Sequence, residues 1–444
     1  MGNRHFIGRT ALAGALLLAG AGQAADRPAL VPPAASSPAS RLTEQTDLQT
    51  VWKAMQSADA DTLSKLYRDN PNPVVHVWAA MALERVRFNL DAASADARAC
   101  ESALLDSRPG VALTCGQFRV GNLHLAGRAD EARQAEQALI AHYRGHGVDR
   151  RLDEMQAYLD GIAGVPQLSF DIPAGDVTLN LQPDPKSKPP REAELGVPRF
   201  TVSANGHALV AKLDTGASDL VLGQEDADRL GVTPLDKQGN VNGWLAKDVP
   251  SQAGRLDTLK IGDITVHNVP VTVVPRPIAL IGGNLVAPLG TLKISQNSIV
   301  IYGKDSPVPA CATPMRISSA MWGNNLRLYP QLLVNDAPQS VMLDSGAHNY
   351  LIGTRAALDE VAPLHRMKTR MSDIGGAHGF VNADSAKVKL TIAEQPFEIT
   401  FDVYTDADNA QHPITLGAGA LRDMDFLLDF RHQHQCFLLH PHLR

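Results

Sequence analysis

A chain of 444 residues that is 44% hydrophobic and 20% charged has apolar content for two or three domain cores and excludes a fibrous or disordered class. Its formal net charge of -6 argues against nucleic acid as the main partner, because phosphate-binding surfaces need an excess of Lys and Arg.

Residues 1–25 place Arg4, His5 and Arg9 before "ALAGALLLAGAG", then small residues and "AADRPAL". That order is the three-part plan of a secretory signal peptide cleaved near Ala24 or Ala25. The apolar stretch is short for a membrane span, and no Cys follows it to take a lipid. The expectation is an exported protein, periplasmic or secreted, with no membrane span once the signal is removed. Residues 26–41, rich in Pro, Ala and Ser without apolar periodicity, read as a flexible linker.

From 42 to 164 apolar residues recur at three- and four-residue steps, as in "VVHVWAAMALERVRF" and "EMQAYLDGI", which predicts a helical domain. "DARACESAL" at 96–104 resembles "EARQAEQAL" at 131–139, a spacing suited to tetratricopeptide-like helix pairs of roughly 34 residues. A plain helical bundle fits as well. Nothing catalytic stands out there; the domain could offer a surface to a protein partner.

After Gly164 the pattern turns to β-branched, alternating segments such as "FTVSA", "HALVAKL" and "ITVHNVPVTVV", predicting an all-β half. That half is duplicated. "AKLDTGASD" around Asp214 is answered by "VMLDSGAHN" around Asp344. Turn dipeptides Asn205-Gly206 and Asn335-Asp336 precede the two acids by equal distances, and "LVLG" and "YLIG" follow at equal distances. Further on, "LKIGDITVHNVPVTVV" is answered by "LTIAEQPFEITFDVY", and "ALIGGNL" by "ITLGAGAL". Two homologous lobes follow, at 165–305 and 306–444. With four Cys in an oxidising compartment, disulfides are expected; pairing Cys100 with Cys115 and Cys311 with Cys436 keeps each bond inside one domain, and four buried thiols are the alternative.

The duplicated motif resembles the aspartic protease superfamily, specifically its retropepsin-like branch, in which Asp-Thr-Gly-Ala is usual. The resemblance spans both β lobes and implies a multidomain α and β protein, an N-terminal helical, repeat-like domain followed by two all-β acid-protease lobes. It implies that Asp214 and Asp344 meet as a catalytic dyad, that Gly216 and Gly346 let the backbones approach closely, and that the hydroxyls of Thr215 and Ser345 bond across the lobe interface. Leu280-Ile281-Gly282 and Thr415-Leu416-Gly417 correspond to the apolar-apolar-Gly segment behind each loop, with Thr415 a departure. Ala217 and Ala347 stand where pepsin-like relatives often carry a hydroxyl donor, which should leave the carboxyls less acidic and the activity mildly acidic in optimum. His348 also departs from the usual residue and is expected to face solvent.

Two carboxyls within hydrogen-bond reach cannot both ionise cheaply, so they share a proton and act as base and acid on a water and a peptide carbonyl, with no cofactor or metal. Retropepsin flaps are similar to "IGGAHGFV", which makes Gly375, Gly376, Gly379 and Phe380 flap candidates in lobe 2, with Trp244 of "GNVNGW" the counterpart in lobe 1. The alternation of His432, His434 and Cys436 has the residue types of a zinc site, but a disulfide at Cys436 competes with it. The reading is an exported aspartic endopeptidase acting on protein or peptide substrates. A catalytically silent peptide binder, or a periplasmic scaffold working through its helices, is the alternative.

Overall fold

The computed structural model describes residues 38–183, 197–242, 248–358, 365–371, 379–404 and 414–441. The signal segment 1–25, Trp244, Gly375 and Gly376 lie outside the described residues.

Seven helices come first: α1 (Pro38–Gln56), α2 (Ala60–Asp69), α3 (Pro73–Val86), α4 (Leu90–Leu104), α5 (Pro109–Leu125), α6 (Ala129–Tyr143) and α7 (Asp149–Gly161). The first begins inside the segment read as a linker; its Pro sits at the helix start, where a missing N–H costs nothing. Local chemistry sets the other starts. Asp59 caps α2 by accepting from the Thr62 amide, Asn72 caps α3 ahead of Pro73, and Asn89 caps α4. Each helix packs against its chain neighbour, and Cys100 of α4 is bonded to Cys115 of α5.

Lobe 1 is an eight-stranded sheet in which Val249–Ile261 pairs with both Arg199–Ala204 and Ile264–Val274, closing the sheet on itself. Lobe 2 repeats its central wiring. Leu220–Gly223 lies parallel to Ile264–Val274 and antiparallel to Ala279–Ile281; Leu351–Thr354 lies parallel to Gln395–Tyr404 and antiparallel to Ile414–Gly417. Both turn dipeptides make two-residue hairpins with positive φ at each position, 46° and 82° at Asn205 and Gly206, 49° and 65° at Asn335 and Asp336.

A five-stranded sheet joins the lobes, Thr291–Ile294 of the first pairing antiparallel with Met424–Asp429 of the second. Across that seam Thr291 donates from its hydroxyl to Asp429 at 2.8 Å. Cys311 is bonded to Cys436 in lobe 2.

The helices are not a detached module. Arg85 of α3 is fully buried, and burial pulls its guanidinium well below the usual arginine range. It donates to Asn122 Oδ1 at 2.6 Å and to the carbonyls of Ala320 and Met321 at 3.1 and 2.9 Å, lying 3.4 Å over the Phe118 ring. Phe88 packs edge-on against Phe430, while Tyr329 and Met342 of lobe 2 belong to the helical core.

Candidate active site

Both Asp-containing loops leave a strand that runs parallel to its apolar-apolar-Gly segment. Leu213 faces Ile281 and Leu343 faces Leu416, the Asp214 amide donates to the Ile281 carbonyl at 3.0 Å, and Asp344 faces Gly417. Thr415 is buried like the apolar residue expected there, with no hydrogen-bond partner for its hydroxyl among the described residues.

The loops meet tip to tip. Thr215 Oγ1 donates to the Leu343 carbonyl at 2.7 Å and accepts the Ser345 amide at 3.0 Å; Ser345 Oγ donates to the Leu213 carbonyl at 2.8 Å and accepts the Thr215 amide at 3.1 Å. The expected cross-lobe hydroxyl bonds are thus both present, each serving the other lobe's backbone. Close approach requires glycine: a Cβ on Gly216 would lie 2.6 Å from Asp344 Cγ, and one on Gly346 would collide with the Asp214 carboxyl.

The Asp214 and Asp344 carboxyls lie within hydrogen-bond reach of each other. Backbone amides serve them, Ala217 N–H donating to Asp214 Oδ1 at 2.9 Å and Gly346 N–H to Asp344 Oδ1 at 2.8 Å. Burial pushes both carboxyls up. Their mutual hydrogen bond and charge couple them, so the two titrate as one raised pair.

Arg327 is the charged neighbour of the two acids that the sequence did not announce. Its guanidinium, half-buried beside the dyad, donates to Ser218 Oγ and to the Leu326 carbonyl, each at 3.0 Å, and its charge pulls Asp214, Asp344 and Asp219 down against their burial. Burial in turn lowers Arg327 itself. The only signal was a charged residue between two leucines in "NLRLY", which alternation alone reads as a solvent-facing strand position.

A cavity of about 690 Å³ sits over the dyad, lined by Asp214, Asp344, Arg327 and the hairpin residues Lys237–Asn242. That hairpin pairs Thr233–Val241 with Val249–Ile261 and places "GNVN" of the lobe 1 flap candidate at the cavity wall. In lobe 2, Gly379 and Phe380 stand opposite Met371 and Arg370 where a long hairpin begins, its tip falling outside the described residues. His348 is exposed and does not line the cavity. In the tail, Cys436 is bonded to Cys311 and His432 Nδ1 meets Asp429 Oδ2 at 2.8 Å, so two of the three residues of that alternation are engaged elsewhere.

Two acid-bearing loops from two similarly wired β lobes, interlocked beneath a cavity that their acids line, define a paired-carboxylate site. Residues 200–287, which include Asp214 and Leu280–Gly282, match the sequence profile of the family described as aspartyl protease. Three solved structures are similar to this chain at low identity. A retropepsin-like aspartic protease from Rickettsia conorii shares 20% identity over 31% of this chain and 94% of its own, with a TM-score of 0.22. Aspartic proteinase from Irpex lacteus shares 11% over 60% and 98%, with a TM-score of 0.39. Basic 7S globulin from soybean shares 13% over 60% and 95%, with a TM-score of 0.35. A comparison with curated protein sequences found no match. Among the described residues no helix is long and apolar enough to cross a membrane.

Proposed function

We propose that this protein is an exported aspartic endopeptidase whose dyad is Asp214 and Asp344. The observation that carries the reading is the pair of half-buried carboxyls within hydrogen-bond reach at a cavity lined by the lobe 1 hairpin. The pair shares one proton; with that proton on Asp344, Asp214 is the base. A water between them gives its proton to Asp214 as its oxygen bonds to the peptide carbon, while Asp344 protonates the carbonyl oxygen. The tetrahedral adduct then breaks its C–N bond, the nitrogen taking a proton from the dyad and the adduct's hydroxyl returning one, so that acid, amine and the original dyad are recovered. An extended substrate would lie under the Thr233–Val241 hairpin, pairing its backbone with the strand edge. The two disulfides are compatible with export.

The test is Asp214→Asn, assayed on casein and on a quenched peptide library with and without pepstatin. The variant retains shape and loses the base, so cleavage falls by about 10²- to 10⁴-fold. Equal cleavage by the variant overturns the proposal, and so does the absence of cleavage by the unaltered protein at every pH.

A further inference from the structure

A second cavity, of about 630 Å³, opens between the helices and the β lobes. Gln117 of α5, Glu136 of α6 and Arg151 and Met155 of α7 form one wall; Trp322 and Leu326 stand on the other. It shares Tyr158, Asp219, Lys237, Pro270 and Asn324 with the cavity over the dyad, so the two are neighbours across a common boundary.

We propose that the second cavity is a distal subsite for the same polypeptide substrate, taking one large apolar side chain against Trp322 and one Lys or Arg against Glu136. The inference rests on the protease reading of the first cavity. Three observations converge on it. The boundary shared with the dyad cavity gives an extended chain a route from one to the other. Tyr158 and Trp322, 54% and 37% exposed, are two of the few large apolar side chains left open to solvent among the described residues, and both line this cavity; such amphipathic rings are the usual anchors of a bound chain. Glu136 is only 5% exposed and has no hydrogen-bond or ion-pair partner among the described residues.

Burial accordingly pushes the Glu136 carboxyl up. Arg151, a cation of the same wall, does not relieve it: its guanidinium is spent on the Gly110 carbonyl, Thr114 Oγ1 and Gln117 Oε1, at 2.8, 3.0 and 2.7 Å. Arg133, one turn before Glu136, donates to the Val165 carbonyl at 3.0 Å. A buried carboxylate without a partner is costly, and a substrate ammonium or guanidinium in the cavity supplies the missing one. The helical region then selects among substrates that the dyad would cut alike.

The experiment compares a quenched hexapeptide, Ala-Ala-Leu-Phe-Ala-Ala, with versions extended by Ala-Lys-Phe-Ala at either end, on the full-length protein. One extended substrate should show KM lowered about tenfold with kcat unchanged, an advantage that Glu136→Gln, Trp322→Ala or Lys-to-Glu in the extension removes while hexapeptide cleavage holds. Equal KM for all peptides, or an advantage that survives Glu136→Gln, overturns the inference. If the unaltered protein cuts none of them, the dyad reading fails separately; fluorescence anisotropy of the labelled peptides then decides. Binding of one extended peptide that Glu136→Gln abolishes supports the subsite, and no preference over the hexapeptide overturns it.

Discussion

Thr215→Val isolates the device that holds the two acids in register. The hydroxyl at Thr215 makes two bonds to the opposite loop, to the Leu343 carbonyl at 2.7 Å and from the Ser345 amide at 3.0 Å, and the residue is 1% exposed. Valine keeps the shape and volume, so no cavity forms, and no water reaches the orphaned groups. Each buried group left without its partner costs about 1–3 kcal/mol, which for two groups puts the loss at about 2–6 kcal/mol. Against a domain stability of about 5–15 kcal/mol that is a large fraction. The assay is urea unfolding followed by circular dichroism, beside peptide cleavage at a fixed pH. Ser345→Ala removes the mirror pair, to the Leu213 carbonyl and from the Thr215 amide. The double variant should therefore cost less than the sum of the singles, since both pairs fix one interface. A Thr215→Val protein with an unchanged midpoint and unchanged cleavage would refute the interlock.

Arg327→Met removes the cation that pulls Asp214 and Asp344 down, leaving burial to raise them further, so both limbs of the pH–rate profile should move to higher pH; a profile that stays in place or moves to lower pH refutes the assignment. The same shifts bear on stability: the dyad carboxyls titrate higher in the folded protein than in the unfolded chain, so their contribution is full below the unfolded values and is lost as pH rises through the folded ones. Thr415→Val replaces a buried hydroxyl that has no partner with a methyl, and should raise stability by about 1 kcal/mol in the same urea assay; a loss would mean that the hydroxyl is bonded.

What was legible in the sequence was whatever is local or repeated. The two turn dipeptides, the matched hairpin segments and the Asp-Thr-Gly and Asp-Ser-Gly loops each carry their geometry in a few adjacent residues, and duplication lifted them above chance. The disulfide pairing followed from domain order alone. Arg327, Glu136 and Tyr158 were illegible for the opposite reason. Each acquires its role from residues more than a hundred positions away or on another element, and its own neighbours in the chain are those of ordinary strand or helix surface. The lobe 1 hairpin lacks the aromatic residue of pepsin-like flaps; its place at the cavity comes instead from the pairing of Gln238–Val241 with Val249–Gln252, beyond an irregularity between Pro234 and Gln238.

Strand alternation explains why the helices matter to the site without supplying an acid to it. On Met342–Asp344, Leu343 points into the β core, while Met342 and Asp344 share the opposite face. Met342 is a member of the helical core and also lines the dyad cavity, so the packing of α1–α7 continues into the cleft floor two residues before the acid. Arg85 fixes the same junction from the helix side by binding the Ala320 and Met321 carbonyls, next to Trp322 of the second cavity. The position of Asp344 therefore depends on helical packing as well as on the loop interlock, whereas Asp214, on Leu213 and Ile281 of lobe 1, depends on the interlock and the lobe alone. The two acids are therefore supported asymmetrically, although both are pushed up by burial as one coupled pair.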